Sequence, residues 1–147
     1  MRVDASNEVV VARPPADVFA FLADAENDGA WRPGVLDIER VSGDGPSAGA
    51  RYRQGIKGPG GRRVPADIEP TALEPDRLVA FRAVEGPVRP EGRYELAPEG
   101  AGTRVRFALQ AELRGLKVAM APAVRRTMAN EVGHLGNLRR VLEEERR

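Results

Sequence analysis

A chain of 147 residues has the size of one ordinary domain and can bury one real core. Its 23 Lys and Arg against 22 Asp and Glu leave a net charge of +1, which gives no broad field to steer nucleic acid or an anionic membrane. With no Cys and a single His, disulfides, thiol nucleophiles and most zinc constellations are excluded, and the carboxylates lack a recognisable metal-loop spacing, so neither metal nor cofactor is expected.

No stretch approaches the roughly 18 consecutive apolar residues of a membrane span, so no integral membrane contact is expected. The opening "MRVDASNEVVV" lacks the continuous apolar run of a signal peptide. A cytoplasmic location is therefore expected. The 16 Gly and 12 Pro follow no period and indicate many turns between short strands.

"NEVVVAR" (7–13) is rich in β-branched residues and predicts a strand that Pro14 ends. In "PPADVFAFLADAEN" the apolar residues Val18, Phe19, Phe21 and Leu22 recur at helical spacing, with Pro15 placed for a first helical turn. "DGAWRPG" breaks that helix with Gly29 and Pro33 and carries Trp31, the sole Trp, in a second short helical turn or a loop.

Six strands are then predicted, at 35–41, 50–57, 63–73, 77–84, 91–98 and 103–113, separated by turn-rich pieces. In the last of them Val105, Phe107, Leu109, Ala111 and Leu113 alternate with mostly polar neighbours, giving one dry and one wet face. Short connections favour an antiparallel meander, because parallel neighbours need long crossovers.

From about Lys117 to Glu145, the residues Leu116, Met120, Val124, Met128, Val132, Leu135, Leu138 and Leu142 fall at steps of three or four. The spacing predicts one helix, continuous from about 120 to 143, with Pro122 in its first turns and its stripe on the concave face of the sheet. Small and flexible side chains on that stripe leave the interior incompletely filled, with the void widest near mid-stripe Val132.

"VARPPADVFAFLADAENDGAWRPGV", "YELAPEGAGTRVRF" and "RRTMANEVGHLGNLRRVLE" resemble the opening, closing hairpin and gripping helix of the START-like (SRPBCC) superfamily, which includes Bet v 1-like proteins and the polyketide cyclase/dehydrase and lipid-transport families. The resemblance covers about residues 5–145. It implies a single START-like domain over 1–147, an α+β helix-grip fold of order β-α-α-β6-α, and an internal cavity for a lipid, sterol, polyketide or similar molecule.

The leading functional expectation is a carrier or sensor of a small hydrophobic molecule. One alternative is a metal-free polyketide cyclase, aromatase or dehydratase, and another is a chaperone- or ribosome-associated interaction domain. A homodimer is left open, and a fold this widely shared does not identify an activity.

In that fold Trp31 falls near the cavity mouth, where it closes over a ligand or simply packs the helix pair. Tyr52, Gln54 and Ile56 alternate on one strand and Tyr94 and Leu96 on another; facing inward, they supply the sparse polar groups that orient a ligand in an apolar pocket. In "VAFRAV" either Phe81 or Arg82 faces inward, with Phe81 favoured, since a buried Arg would need an anionic partner. With Phe107, Val124, Met128, Val132 and Leu135, these complete the expected lining.

His134 is either a base aimed at a ligand carbonyl or a solvated helix residue. Arg125, Arg126, Arg139 and Arg140, interspersed with Glu131, Glu143, Glu144 and Glu145, read as a solvated face without the stacking aromatics of a nucleic-acid surface. "GPGG" (58–61) lacks the Lys-Ser or Lys-Thr of a phosphate loop and reads as a tip over the cavity.

Overall fold

Met1 sets the beginning of the sheet: its ammonium donates to the Glu112 carboxylate and, at 2.7 Å, to the Leu113 carbonyl oxygen. The structure, a computed structural model, describes residues 1–86 and 88–144, apart from the side chain of Pro59. Strand β1 (Arg2–Val11) pairs with β8 (Gly102–Glu112) along its whole length, from Arg2 opposite Glu112 to Val11 opposite Thr103. Tertiary pairing thus recruits residues 2–6, which have little strand pattern of their own.

Pro14 and Pro15 end β1 and open α1 (Pro15–Ala23), which buries Val18, Leu22 and Ala23. The Asp24 side chain then accepts the Glu26 N–H at 3.1 Å and opens a 3-10 turn, Ala25–Ala30, that ends at Trp31. Next come β2 (Val35–Ser42), β3 (Arg51–Lys57), β4 (Arg63–Pro65), β5 (Ile68–Glu74), β6 (Leu78–Ala83) and β7 (Glu91–Glu99). All pairings are antiparallel and the sheet order is β1-β8-β7-β6-β5-β3-β2, with β4 attached to β3.

The strand expected at 63–73 is two strands, so seven rather than six follow the first helices. The chain turns at Ala66 and Asp67 because β3 captures both: the Ala66 N–H donates to the Gln54 carbonyl, and the Asp67 carboxylate accepts the Gln54 N–H. Between β3 and β5 only Tyr52 and Ile68 are in register. The ladder is loose there, and the interior is open at the same place.

The C-terminal helix is also in two pieces, α2 (Ala121–Gly133) and α3 (Leu135–Glu144), which corrects the expectation of one continuous helix. His134 leaves the helical basin, at φ −86° and ψ 3°. The His134 N–H donates to the Glu131 carbonyl at 3.2 Å, three residues back, and the Val132 carbonyl accepts from Asn7 Nδ2 at 2.9 Å. The stripe survives the bend: Met128, Val132, Leu135, Leu138 and Leu142 are all buried. Its predicted start does not. Residues Gly115–Met120 form a 3-10 turn in which Leu116 is 97% exposed.

The core joins these leucines to Val11, Val18, Val105, Phe107 and Leu113. Among the described residues, no helix is long and apolar enough to cross a membrane.

Gly133 and Gly136 flank the bend, have no atom within 4 Å of an added Cβ, and have no left-handed backbone. Ala in either place restricts only the unfolded chain, so Gly133→Ala and Gly136→Ala should each raise stability by about 0.4 to 1 kcal/mol in urea unfolding. A loss of stability would show that the bend itself needs glycine.

Candidate functional site

A cleft of about 400 Å³ lies between α2 and the far half of the sheet. Its floor is Gln54 and Ile56 of β3, Val64 and Pro65 of β4, Ile68 of β5, Phe81 and Ala83 of β6, and Leu109 of β8. Its roof is Met120 and then Ala123, Val124, Thr127 and Met128 of α2, and the turn at Glu85, Gly86, Val88 and Pro90 forms one side. Gly92 shapes the floor, because a Cβ there would stand 2.4 Å from the Phe81 ring; its absence lets the ring lie against the sheet. A depression of similar size on the other face is lined by Arg2, Asp4, Arg82, Glu91, Arg93 and Arg106, so the cleft is the apolar one of the two.

Of the residues expected in the lining, Gln54, Ile56, Phe81, Val124 and Met128 border the cleft. Trp31, Tyr52, Tyr94, Phe107, Val132 and Leu135 do not, and all six are buried by packing. Trp31 is not at the mouth: its ring meets Tyr94 and Phe107 edge-on with centroids 6.1 and 6.0 Å away, while Tyr94 and Phe107 stack at 4.5 Å. Tyr52 belongs to a separate small cluster with Ala25, Ala50 and Ile68. Val132, expected where the void is widest, lies in the close-packed core. Arg82 faces solvent and pairs with Glu69 at 3.6 Å, while its neighbour Phe81 is on the cleft side; His134 is exposed at the helix bend.

The inner end of the cleft holds a group that the sequence reading did not single out. Arg32 lies in the turn after Trp31 and is 7% exposed. Its Nη1 donates to Asp28 Oδ2 at 3.0 Å and to Gln54 Oε1 at 3.3 Å, and its Nε donates to Glu131 Oε2 at 3.1 Å. Gln54 is held in turn, because its Nε2 donates to the Ala66 carbonyl at 2.9 Å. Glu131 is therefore not on a solvated face as expected, but reaches inward from α2; Glu143 remains on the surface with Arg139, and Glu145 lies outside the described residues. The signal available in the sequence was the acid and base four apart at Asp28 and Arg32, a spacing that places both on one side of a helical turn.

Burial pushes the Asp28 carboxyl from an ordinary 3.8 up to about 6, against the pull of the Arg32 charge and hydrogen bond and with help from Glu131 and Asp24. Burial likewise holds the Tyr94 phenol well above its usual range, and its hydroxyl has no hydrogen-bond partner among the described residues.

A carboxyl whose folded pKa is raised binds more protons in the folded state. Its contribution to stability is present below the unfolded value near 3.8 and is lost as pH rises through about 6. In urea unfolding, the protein should therefore lose stability relative to its Asp28→Asn variant between pH 4 and pH 7, by at most about 3 kcal/mol. A difference that stays level or moves the other way would mean that the ion pair with Arg32 outweighs burial.

The family model for "Polyketide cyclase / dehydrase and lipid transport" matches residues 2–143. No curated protein matches the chain. Among solved structures, TTHA0849 from Thermus thermophilus is 24% identical, with 99% of each chain covered and a TM-score of 0.77. The Zhui aromatase/cyclase from Streptomyces sp. R1128 is 19% identical over 100% of this chain and 97% of its own, at a TM-score of 0.78. A START superfamily protein from Mycobacterium smegmatis is 18% identical over 96% and 97%, at 0.76. At such identities these likenesses establish the helix-grip fold, and the family match adds the lineage: the chain belongs to the polyketide cyclase / dehydrase and lipid transport family.

Proposed function

We propose that the protein is a carrier or sensor that holds a small apolar molecule in the cleft beneath α2. The observation that carries this reading is the cleft itself: about 400 Å³ lined mainly by Ile56, Val64, Phe81, Leu109, Val124 and Met128, in a fold that is close-packed elsewhere along the helices. Cavities of this size and lining suit drug-sized organic molecules.

The enzyme reading asks for proton-moving groups that converge on the ligand. Tyr52 and Tyr94 do not border the cleft and Arg82 and His134 face solvent; Arg32 and Glu131 do border it but are paired with each other, which favours binding over catalysis. An interaction domain calls for a filled interior, and the cleft speaks against that reading. The exposed apolar turn at Leu116, Val118 and Met120 leads into the cleft wall through Met120, so it fits a cleft entrance as well as a docking patch.

Two substitutions that introduce the same ring separate filled from open space. Ala83→Phe should reduce Nile red affinity tenfold or more, the loss of about 1.4 kcal/mol, and leave the melting temperature unchanged or slightly raised. Val132→Phe should cost about 1 to 3 kcal/mol of stability, because it overpacks the core. If both variants lose stability alike and the wild type does not bind the dye, the cleft is not a binding site.

A further inference from the structure

We infer that the inner end of the cleft selects neutral ligands that carry a hydrogen-bond acceptor, such as a ketone, over carboxylates, with Arg32 Nη2 as the donor. This rests on the reading of the cleft as a binding site. Arg32 borders the cleft, and two of its three nitrogens are spent on Asp28, Gln54 and Glu131; Nη2 has no partner among the described residues. The guanidinium is fixed on two sides by carboxylates and on a third by an amide that is itself held, so it keeps its place at the cleft lining before a ligand arrives. A bond from a charged, largely buried donor to a neutral acceptor is among the stronger ones available.

The charge around that donor decides the ligand class. Arg32 faces two carboxylates, Asp28 and Glu131, at the inner end; Lys57 and Glu85, both exposed, are the other charged residues of the lining among the described residues. Arg32 and Lys57 thus stand against Asp28, Glu85 and Glu131 in and directly behind the lining, two positive charges against three negative. An anionic ligand would bring a further negative charge to an arginine already shared between two, and would have to shed its water to do so. A carbonyl oxygen uses the same N–H groups at no such cost. The Glu131 Oε1 atom, which has no partner among the described residues, adds to the field that turns anions away.

The test is competition against Nile red with three probes of one shape: 2-ethylnaphthalene, 2-acetonaphthone and 2-naphthoate. An apolar pocket without a donor favours the hydrocarbon, because the ketone loses its hydration without compensation. The inference expects the ketone to bind at least as tightly as the hydrocarbon and tenfold or more tighter than the carboxylate. It further expects Glu131→Gln, which keeps an oxygen for Arg32 Nε, to narrow the ketone-to-carboxylate ratio at least threefold. A tenfold preference for the hydrocarbon, a preference for the carboxylate, or a ratio unmoved by Glu131→Gln would overturn it. Failure of all three probes to displace the dye, or of the dye to bind, would instead remove the binding reading beneath it.

Discussion

One curved sheet must be covered by two straight helix segments, and the kind of side chain on each segment decides where the interior is full. On α3 the stripe is Leu135, Leu138 and Leu142, each at most 1% exposed against β1 and α1 residues such as Val11 and Val18. On α2 the cleft-facing positions are Ala123, Val124, Thr127 and Met128, which are smaller or more pliable. The bend at His134 divides the two regimes. Beyond it the leucines reach the sheet; before it Val132 still packs in the core, while the face of α2 that carries Ala123, Val124 and Thr127 leaves the space beneath it unfilled.

A second constraint holds the walls of that space. Arg32, at the end of the 3-10 turn, binds Gln54 on β3 and Glu131 on α2, so three elements far apart in sequence meet at one guanidinium. Buried ion pairs of this kind add little net stability, because desolvation offsets much of the attraction, but removing one partner strands the other. They fix position more than they add energy. Here what they position is the inner end of the cleft, and the aromatic row from Trp31 through Tyr94 to Phe81 carries that rigidity to its floor.

Much of the fold was legible because it is written in local patterns. The alternation at Val105 to Leu113, the proline pair after β1 and the three-and-four spacing of the C-terminal stripe all rest on near-neighbour rules. What was not legible depended on partners distant in the chain. Pro65 and Gly133 are the local hints of the breaks at Ala66 and His134, but the partners that fix them are distant, Gln54 for the first and Asn7, which takes a carbonyl, for the second. The candidate site divides the same way. Periodicity finds which residues point inward, as with Phe81 and Met128, but it cannot tell an inward residue that packs, such as Val132 or Tyr94, from one that borders open space. Glu131 has the pattern of a solvated residue in the sequence because its partner Arg32 lies 99 positions away.

Methyl NMR of the Ala-, Ile-, Leu-, Met- and Val-labelled protein titrated with naphthalene tests the central claim most directly, because it reads the place as well as the fact of binding. Saturable shifts confined to methyls of the cleft lining, such as Ile56, Val64, Ala83, Leu109, Val124 and Met128, with Val11, Val105, Leu138 and Leu142 unmoved, are the result the account predicts. Shifts centred on the leucines of α3, or on Leu116 and Val118 alone, would contradict it.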